Sequence, residues 1–242
     1  MTDDIDAVIS NGFIIDKTAN HLNLGPHDRK KYALSPQKGY SCIDKTNFKP
    51  NQELLPDTVS SVFTSPQLLT HEECRQWIDR AEAAKFDEGD FIFKTGKSGH
   101  ERMETGGRRS SATMLVNDQS FSLKMTANLK GSIPEVLSDG RKFVGIRDTF
   151  LVSKYGAGQY FAPHFDGNTT AIDELTGIST QSAFTAVLYL SEDFTGGSTH
   201  YLPGPGSEVM SPIAVRPPIG HAVIHKAVTI LHAGGEITSG TK

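Results

Sequence analysis

The stretch YFAPHFDG, residues 160–167, sets a histidine and an aspartate two positions apart and turns at once on Gly167 and Asn168. In a β-strand, positions i and i+2 face the same way. His164 and Asp166 are therefore expected to project together from one strand into whatever that face encloses. A neutral imidazole and a carboxylate side by side suit a divalent cation. The same pair also serves as a buried histidine satisfied by a neighbouring acid, and for an isolated His-x-Asp that is the commoner reading. The rest of the chain has to separate the two.

Working outward, the chain beyond residue 140 is a series of short strand-like runs. RKFVGIRDTFLVSKY, QYFAPHFD, SAFTAVLYLSE, GSTHYL, EVMSPIAVRP and GHAVIHKA are separated by Gly, Pro, Asn and Asp. Many short strands with regular turns predict a mainly β fold of sandwich or jelly-roll type. SAFTAVLYL is apolar almost throughout, as a strand covered on both faces would be. Upstream, Thr70 and Glu73 form a capping box. Cys74, Trp77, Ile78 and Ala81 follow as one apolar stripe, which predicts a helix ending near Phe86. A second helix is expected from Asn117 or Asp118, with Phe121, Met125 and Leu129 on one face and Pro134 breaking it. RRSSATMLV, 108–116, reads as a strand entered from the loop GKSGHERMETGG. Residues 1–57 show no lasting period and read as an irregular, extended arm with a few short strands. The expected division is thus an arm over 1–57 and one domain over 58–242, with helical support at 68–137 and a β core from about 143.

The chain has 242 residues, 37% of them hydrophobic and 21% charged, enough for a packed core. Net charge is −4 with no basic block, so nucleic acid is not an expected partner. Cys42 and Cys74 are the two cysteines, too few for a disulfide framework or a Cys-x-x-Cys zinc site. The acidic start MTDDIDAVISNGFIIDK is not expected to be a secretory leader, and no run approaches the roughly 20 apolar residues of a membrane span. The expectation is a soluble, intracellular, cytoplasmic protein.

If His164 and Asp166 hold a metal, a third ligand is needed. Three facial protein ligands leave room on iron(II) for a bidentate cosubstrate and oxygen. His221, His225 and His232 compete for the place. His221 and His225 share parity in GHAVIHKA and read equally well as ordinary strand residues. His232 stands just after a strand and before Gly234 and Gly235, with nine residues between it and Lys242.

That spacing carries a resemblance. Tyr155, Gly158, His164 and Asp166, then Gly196, Gly197 and Thr199, then His232 and Lys242 are similar to the ordered motifs of the iron(II)- and 2-oxoglutarate-dependent dioxygenases. The likeness is to their prolyl 4-hydroxylase-like branch. It covers about residues 60–242, most strongly after 143. It implies a double-stranded β-helix, a cupin-like jelly roll. It also implies His164, Asp166 and His232 as catalytic metal ligands, and Lys242 as the cation for the far carboxylate of 2-oxoglutarate. Thr199 and Tyr155 are the implied hydroxyl donors to that cosubstrate; Tyr189 is added from strand parity alone. The implied cofactors are iron(II), 2-oxoglutarate and dioxygen, with ascorbate as reductant.

The implied reaction hydroxylates an unactivated C–H bond and releases succinate and carbon dioxide. The intact Asp166 argues against halogenation, since a halogenase of this family has a small residue there. Arg108 and Arg109 are the candidate substrate-binding residues, for a peptide carbonyl or an acidic group; a solvated basic turn explains them equally well. The loop at 167–181 is a candidate lid. Departures exist. In the family the chain continues past the lysine, whereas this sequence stops there. Many prolyl hydroxylases carry an arginine entering the strand that here reads SAFTAVLYL, and Ser182 stands at about that place. A protein or peptidyl-prolyl substrate is the first expectation and a free amino acid or other small molecule the second. Demethylation of alkylated bases is disfavoured by Lys242, where those enzymes present arginine. A non-catalytic metal-binding jelly roll would keep the same ligands.

Overall fold

The computed structural model describes residues 41–55, 61–87, 91–96, 99–104, 109–172 and 177–242. Among these residues, two helices form where capping and periodicity agree. Helix α1 spans His71–Ala84, with Thr70 as its N-cap and Glu73 closing the capping box. It buries Cys74, Trp77 and Ala81, and stops two residues before Phe86, where Lys85 takes φ 64°. Helix α2 spans Gln119–Leu129 behind the N-cap Asp118 and buries Ser122, Met125 and Leu129. The Trp77 ring meets Phe121 edge-on at 4.5 Å and Phe150 at 5.4 Å, locking α1 to α2 and to a strand behind them. Truncating such a ring costs about 3–5 kcal/mol.

In chain order the strands are β1 (Ser41–Ile43), β2 (Val62–Thr64), β3 (Phe91–Gly96), β4 (Gly99–Glu104), β5 (Ala112–Asn117), β6 (Thr149–Lys154), β7 (Phe161–His164) and β8 (Thr170–Ile172). They continue with β9 (Ser179–Gln181), β10 (Phe184–Leu188), β11 (Phe194–Gly196), β12 (Thr199–Tyr201), β13 (Ile213–Val215), β14 (Ala222–Lys226), β15 (His232–Gly234) and β16 (Ile237–Gly240). The larger sheet runs β1-β13-β12-β15-β7 and the facing one β10-β14-β2. Alternation assigns the faces. Tyr201, Ile213 and Val215 of the larger sheet meet Val62, Val187 and Val223 of the smaller in one core. The opposite face of the smaller sheet, Phe63, Ala222 and Ile224, packs on Cys74, Trp77, Ala81, Met125 and Leu129. The layers are therefore helices, small sheet, large sheet, a jelly-roll core with helical support on one flank.

Several sequence expectations change here. The strand covered on both faces is β14, whose first four residues are 0% exposed; β10 is only half-buried, at the edge of its sheet. The segment expected as a loop before Arg108 is largely the hairpin β3–β4, whose pairing runs from Phe91↔Glu104 to Gly96↔Gly99. RKFVGIRDTFLVSKY becomes a strand only from Thr149, because Gly145 takes φ 143° and Phe143 and Ile146 turn into the helical core. Within the arm, Ser41–Ile43 adds a parallel edge to the larger sheet against Ile213–Val215. Arg108 lies outside the described residues, as do 173–176 of the candidate lid, whose flanks pair as β8 and β9. Cys42 and Cys74 are both free. Among the described residues, no helix is long and apolar enough to cross a membrane.

Candidate metal centre

The register of the larger sheet builds the site. β15 lies antiparallel to β7 with His232 opposite His164, and antiparallel to β12 with His232 opposite Tyr201. Directly opposed residues share a face, so both histidines enter the space between the sheets, their rings 4.2 Å apart. β7 ends at His164, so Asp166 is not on the strand, as strict parity required, but just past it. Its carboxylate still turns back to the histidines. Asp166 Oδ1 is 3.6 Å from His164 Nε2 and Oδ2 is 3.6 Å from His232 Nε2. One ligand atom from each of His164, Asp166 and His232 lies within 4.8 Å of the others.

Both imidazoles are set up as ligands. His164 Nδ1 lies 2.8 Å from the carbonyl of Ala162, and His232 Nδ1 lies 3.0 Å from that of Ile230. Each Nδ1–H therefore donates to the backbone two residues back, and each Nε2 lone pair faces the cluster. Burial pushes the Asp166 carboxyl up. The pull of His232, the hydrogen bond from His225 and the pull of His164 outweigh it and hold the group well below the usual carboxylate range. The arrangement is one fixed anion and two oriented nitrogen donors, which fits a divalent first-row metal such as iron(II).

Behind His164 the ring of Phe161 stacks at 3.8 Å, and the Arg109 guanidinium sits 4.9 Å over Phe161. Arg109 is 4% exposed. Its Nε donates to Ser111 Oγ at 2.8 Å, and its terminal nitrogen donates to Ser153 Oγ. It is a buried group in the wall beside the metal centre, not a solvated basic turn.

A second polar group forms at the same face of β12. Thr199 is two residues from Tyr201 on β12, hence on the same face and about 7 Å away along the strand. Its Oγ1 is 2.9 Å from the Tyr189 hydroxyl. Lys242 Nζ donates to the Gly197 carbonyl at 2.7 Å and to Tyr189 Oη at 3.0 Å, and lies 4.1 Å over the Tyr189 ring. The lysine is two residues past β16 but is not frayed. Its N–H and C=O form a reciprocal pair with those of Tyr155 at 2.9 and 2.8 Å. The Tyr155 side chain packs on the cluster of Tyr189, Phe194 and Ile237. The Gly196-Gly197 turn makes this possible. Both take positive φ, and a Cβ on Gly196 would stand 2.2 Å from the Glu236 carbonyl oxygen.

The tertiary structure thus brings together His164, Asp166 and His232, and separately Lys242, Tyr189 and Thr199. Sequence reasoning gave no role to three buried groups. His225, a competitor for the third ligand that read equally well as an ordinary strand residue, has Nε2 3.2 Å from Asp166 Oδ2. Tyr201, 0% exposed, has its hydroxyl 3.1 Å from His225 Nδ1. Burial pushes the Tyr201 hydroxyl well up, with Tyr189 and Asp166 adding to it, so it stays protonated and able to donate. His200, between Thr199 and Tyr201, is pushed down to about 4 by burial and by Lys242. The signal for His225 was its parity with Val223, opposite to Ala222 and Ile224; with both faces of β14 buried, parity alone could not show which face held the site. His221 instead meets the Phe48 ring at 5.2 Å.

No protein-family model matches the sequence, and no curated protein matches it. Solved structures do. A viral collagen prolyl hydroxylase from Paramecium bursaria Chlorella virus-1, in its 2OG complex, has TM-score 0.47 and 16% identity, covering 78% of this chain and 94% of its own. An oxidoreductase of the 2OG-Fe(II) oxygenase family from Burkholderia pseudomallei has TM-score 0.46 and 12% identity over 84% of this chain and 91% of its own. A Pseudomonas putida prolyl-4-hydroxylase has TM-score 0.48 and 16% identity over 76% of this chain and 89% of its own. The structural neighbours of this chain thus include a 2OG-Fe(II) oxygenase and two prolyl hydroxylases.

Proposed function

We propose that the protein is an iron(II)- and 2-oxoglutarate-dependent oxygenase that hydroxylates an unactivated C–H bond and releases succinate and carbon dioxide. One observation carries the reading. His164, Asp166 and His232 converge within 4.8 Å, with both histidines tied back through Nδ1. Two nitrogens and one carboxylate on one side of a cation leave positions open opposite them. Bound iron with its cosubstrate would supply the oxidising power that no side chain has. The chain supplies geometry and charge. Asp166 stays ionised and offsets part of the cation's charge. The ammonium of Lys242 has three N–H donors. Two are directed to Gly197 and Tyr189, and the third suits a carboxylate, where a charge-assisted bond in a confined space is strong. Thr199 and Tyr155 are the proposed hydroxyl donors beside it, with Tyr189 holding the lysine. Ascorbate is the proposed reductant that keeps iron ferrous.

The proposed substrate is a peptidyl proline, supported by the motif branch. A free amino acid is the second reading, and Ser182 favours it. At the place where many prolyl hydroxylases carry arginine, Ser182 Oγ accepts the N–H of Thr169 at 2.8 Å. From its buried position, Arg109 would act on substrate only from inside the pocket wall. The test is succinate release by purified protein given iron(II), dioxygen and 2-oxoglutarate, with mass spectrometry for a gain of about 16 Da on proline peptides and on free amino acids. Succinate that forms without added iron, or no product on either panel, counts against the proposal.

A further inference from the structure

We propose that His225 is a positioning residue. With Tyr201 behind it, His225 donates to one oxygen of Asp166 and restricts that carboxylate to a single-oxygen bond with the metal. The inference rests on the metal-binding part of the reading above.

Three histidines crowd this space, and their second nitrogens tell them apart. His164 and His232 commit Nδ1 to carbonyls two residues back, leaving Nε2 to coordinate. His225 lies on the opposite sheet and has both nitrogens committed. Nε2 is 3.2 Å from Asp166 Oδ2, and Nδ1 is 3.1 Å from the Tyr201 hydroxyl. A carboxylate only accepts, so Nε2 carries the proton; in the neutral ring Nδ1 then accepts, and Tyr201 donates. His225 is 0% exposed, and its ring is 4.2 Å from that of His232, so it touches the centre without offering it a lone pair.

Asp166 needs this support because β7 ends at His164 and the sheet does not hold it. The strand bearing His225 takes over. Just past its end, the Val228 N–H donates to the Asp166 carbonyl at 3.0 Å. Val228 takes φ 73° to do so. A β-branched residue rarely tolerates that conformation, which persists only where surroundings impose it. The same strand end therefore grips Asp166 twice, through side chain and backbone. With Oδ2 occupied by His225, Oδ1 is the oxygen left to the cation, and a one-oxygen carboxylate keeps a further position open.

The test is cation uptake by metal-free protein, followed with manganese(II) by electron paramagnetic resonance and with cobalt(II) by visible absorption. Outer hydrogen bonds of this kind change metal affinity by roughly 10- to 100-fold. His225→Phe should weaken manganese affinity to that extent and alter the cobalt spectrum. His225→Gln, whose amide can donate, should return to within about fivefold of wild type, and Tyr201→Phe should fall between. Unchanged affinity and spectrum in folded His225→Phe overturn the inference. Failure of folded His225→Gln to recover also overturns it, because His225 is then a ligand or mere packing. Should His225→Phe not fold, Tyr201→Phe decides, and wild-type affinity with a wild-type spectrum there is contrary. Wild-type protein that binds cation but forms no succinate removes the oxygenase reading and leaves this inference standing. Wild-type protein that takes up no cation removes both.

Discussion

The two ends of the candidate site are built on different principles. At the metal end, His164 and His232 are held by paired strands, and Asp166 by two grips, from His225 on the facing sheet and from Val228 just past that strand. At the lysine end, the charge comes from a residue beyond the last strand, held by one backbone pair with Tyr155 and a glycine turn. The difference fits the two groups proposed above to bind there. A metal demands several donors at set angles, so its ligands must be locked by neighbours. A carboxylate needs one cation, and an ammonium is a compact charge with rotatable donors, so it works from an edge.

If the ends are as separate as this, substitutions should sort between them. Asp166→Ala removes the anion from the metal end. It should abolish succinate formation and lower cation affinity by more than the roughly 100-fold that loss of an outer support costs. Retained uptake of manganese would remove Asp166 from the centre.

The next effect is on stability and belongs to the lysine end. His200 has a folded pKa of about 4, below the ordinary value of 6.5, through burial and Lys242. A depressed histidine resists a proton that the unfolded chain accepts. Its contribution is complete above pH 6.5 and lost as pH falls to about 4, on the order of 3 kcal/mol. Urea unfolding of His200→Leu at pH 7 and pH 4 should show a smaller acid loss than wild type by about that amount. Equal losses would place the acid sensitivity elsewhere.

Lys242→Ala should raise the 2-oxoglutarate concentration for half-maximal turnover by roughly 10- to 100-fold, as for a lost charge-assisted bond of about 1.5–3 kcal/mol. Manganese affinity should not change. A parallel loss of metal would show that the two ends are coupled. Smallest, Thr199→Val keeps shape but removes the hydroxyl that meets Tyr189 at 2.9 Å. A shift of about fivefold in the same half-saturation, near 1 kcal/mol, is expected. No shift would leave the Tyr189–Lys242 contact sufficient by itself.

Much of this was legible in the sequence. The Thr70–Glu73 box and the Cys74, Trp77, Ala81 stripe located α1 because capping and helical period involve residues within two turns. Gly196 and Gly197 stood in the sequence only as part of the family motif; the fold makes them a turn whose positive φ and close backbone approach require glycine. His232 was preferred to His221 and His225 only through the family motif, and the register of His232 against His164 is what puts it in the site. Arg109 shows the opposite case. In sequence it reads as basic and surface-facing; in the fold it lies under Phe161 and bonds to Ser111 and Ser153.

The sequence by itself determined the capped helices, the short β elements and the histidine and aspartate types that a cation prefers, since each depends on chemistry among near neighbours in the chain. Only the tertiary structure decided that Asp166 lies past its strand, that His225 and Tyr201 support it, and that Lys242 is tied in by Tyr155. Those contacts join residues far apart in the chain. Strand register and the facing of two sheets set them, and no local pattern encodes which buried face will meet which.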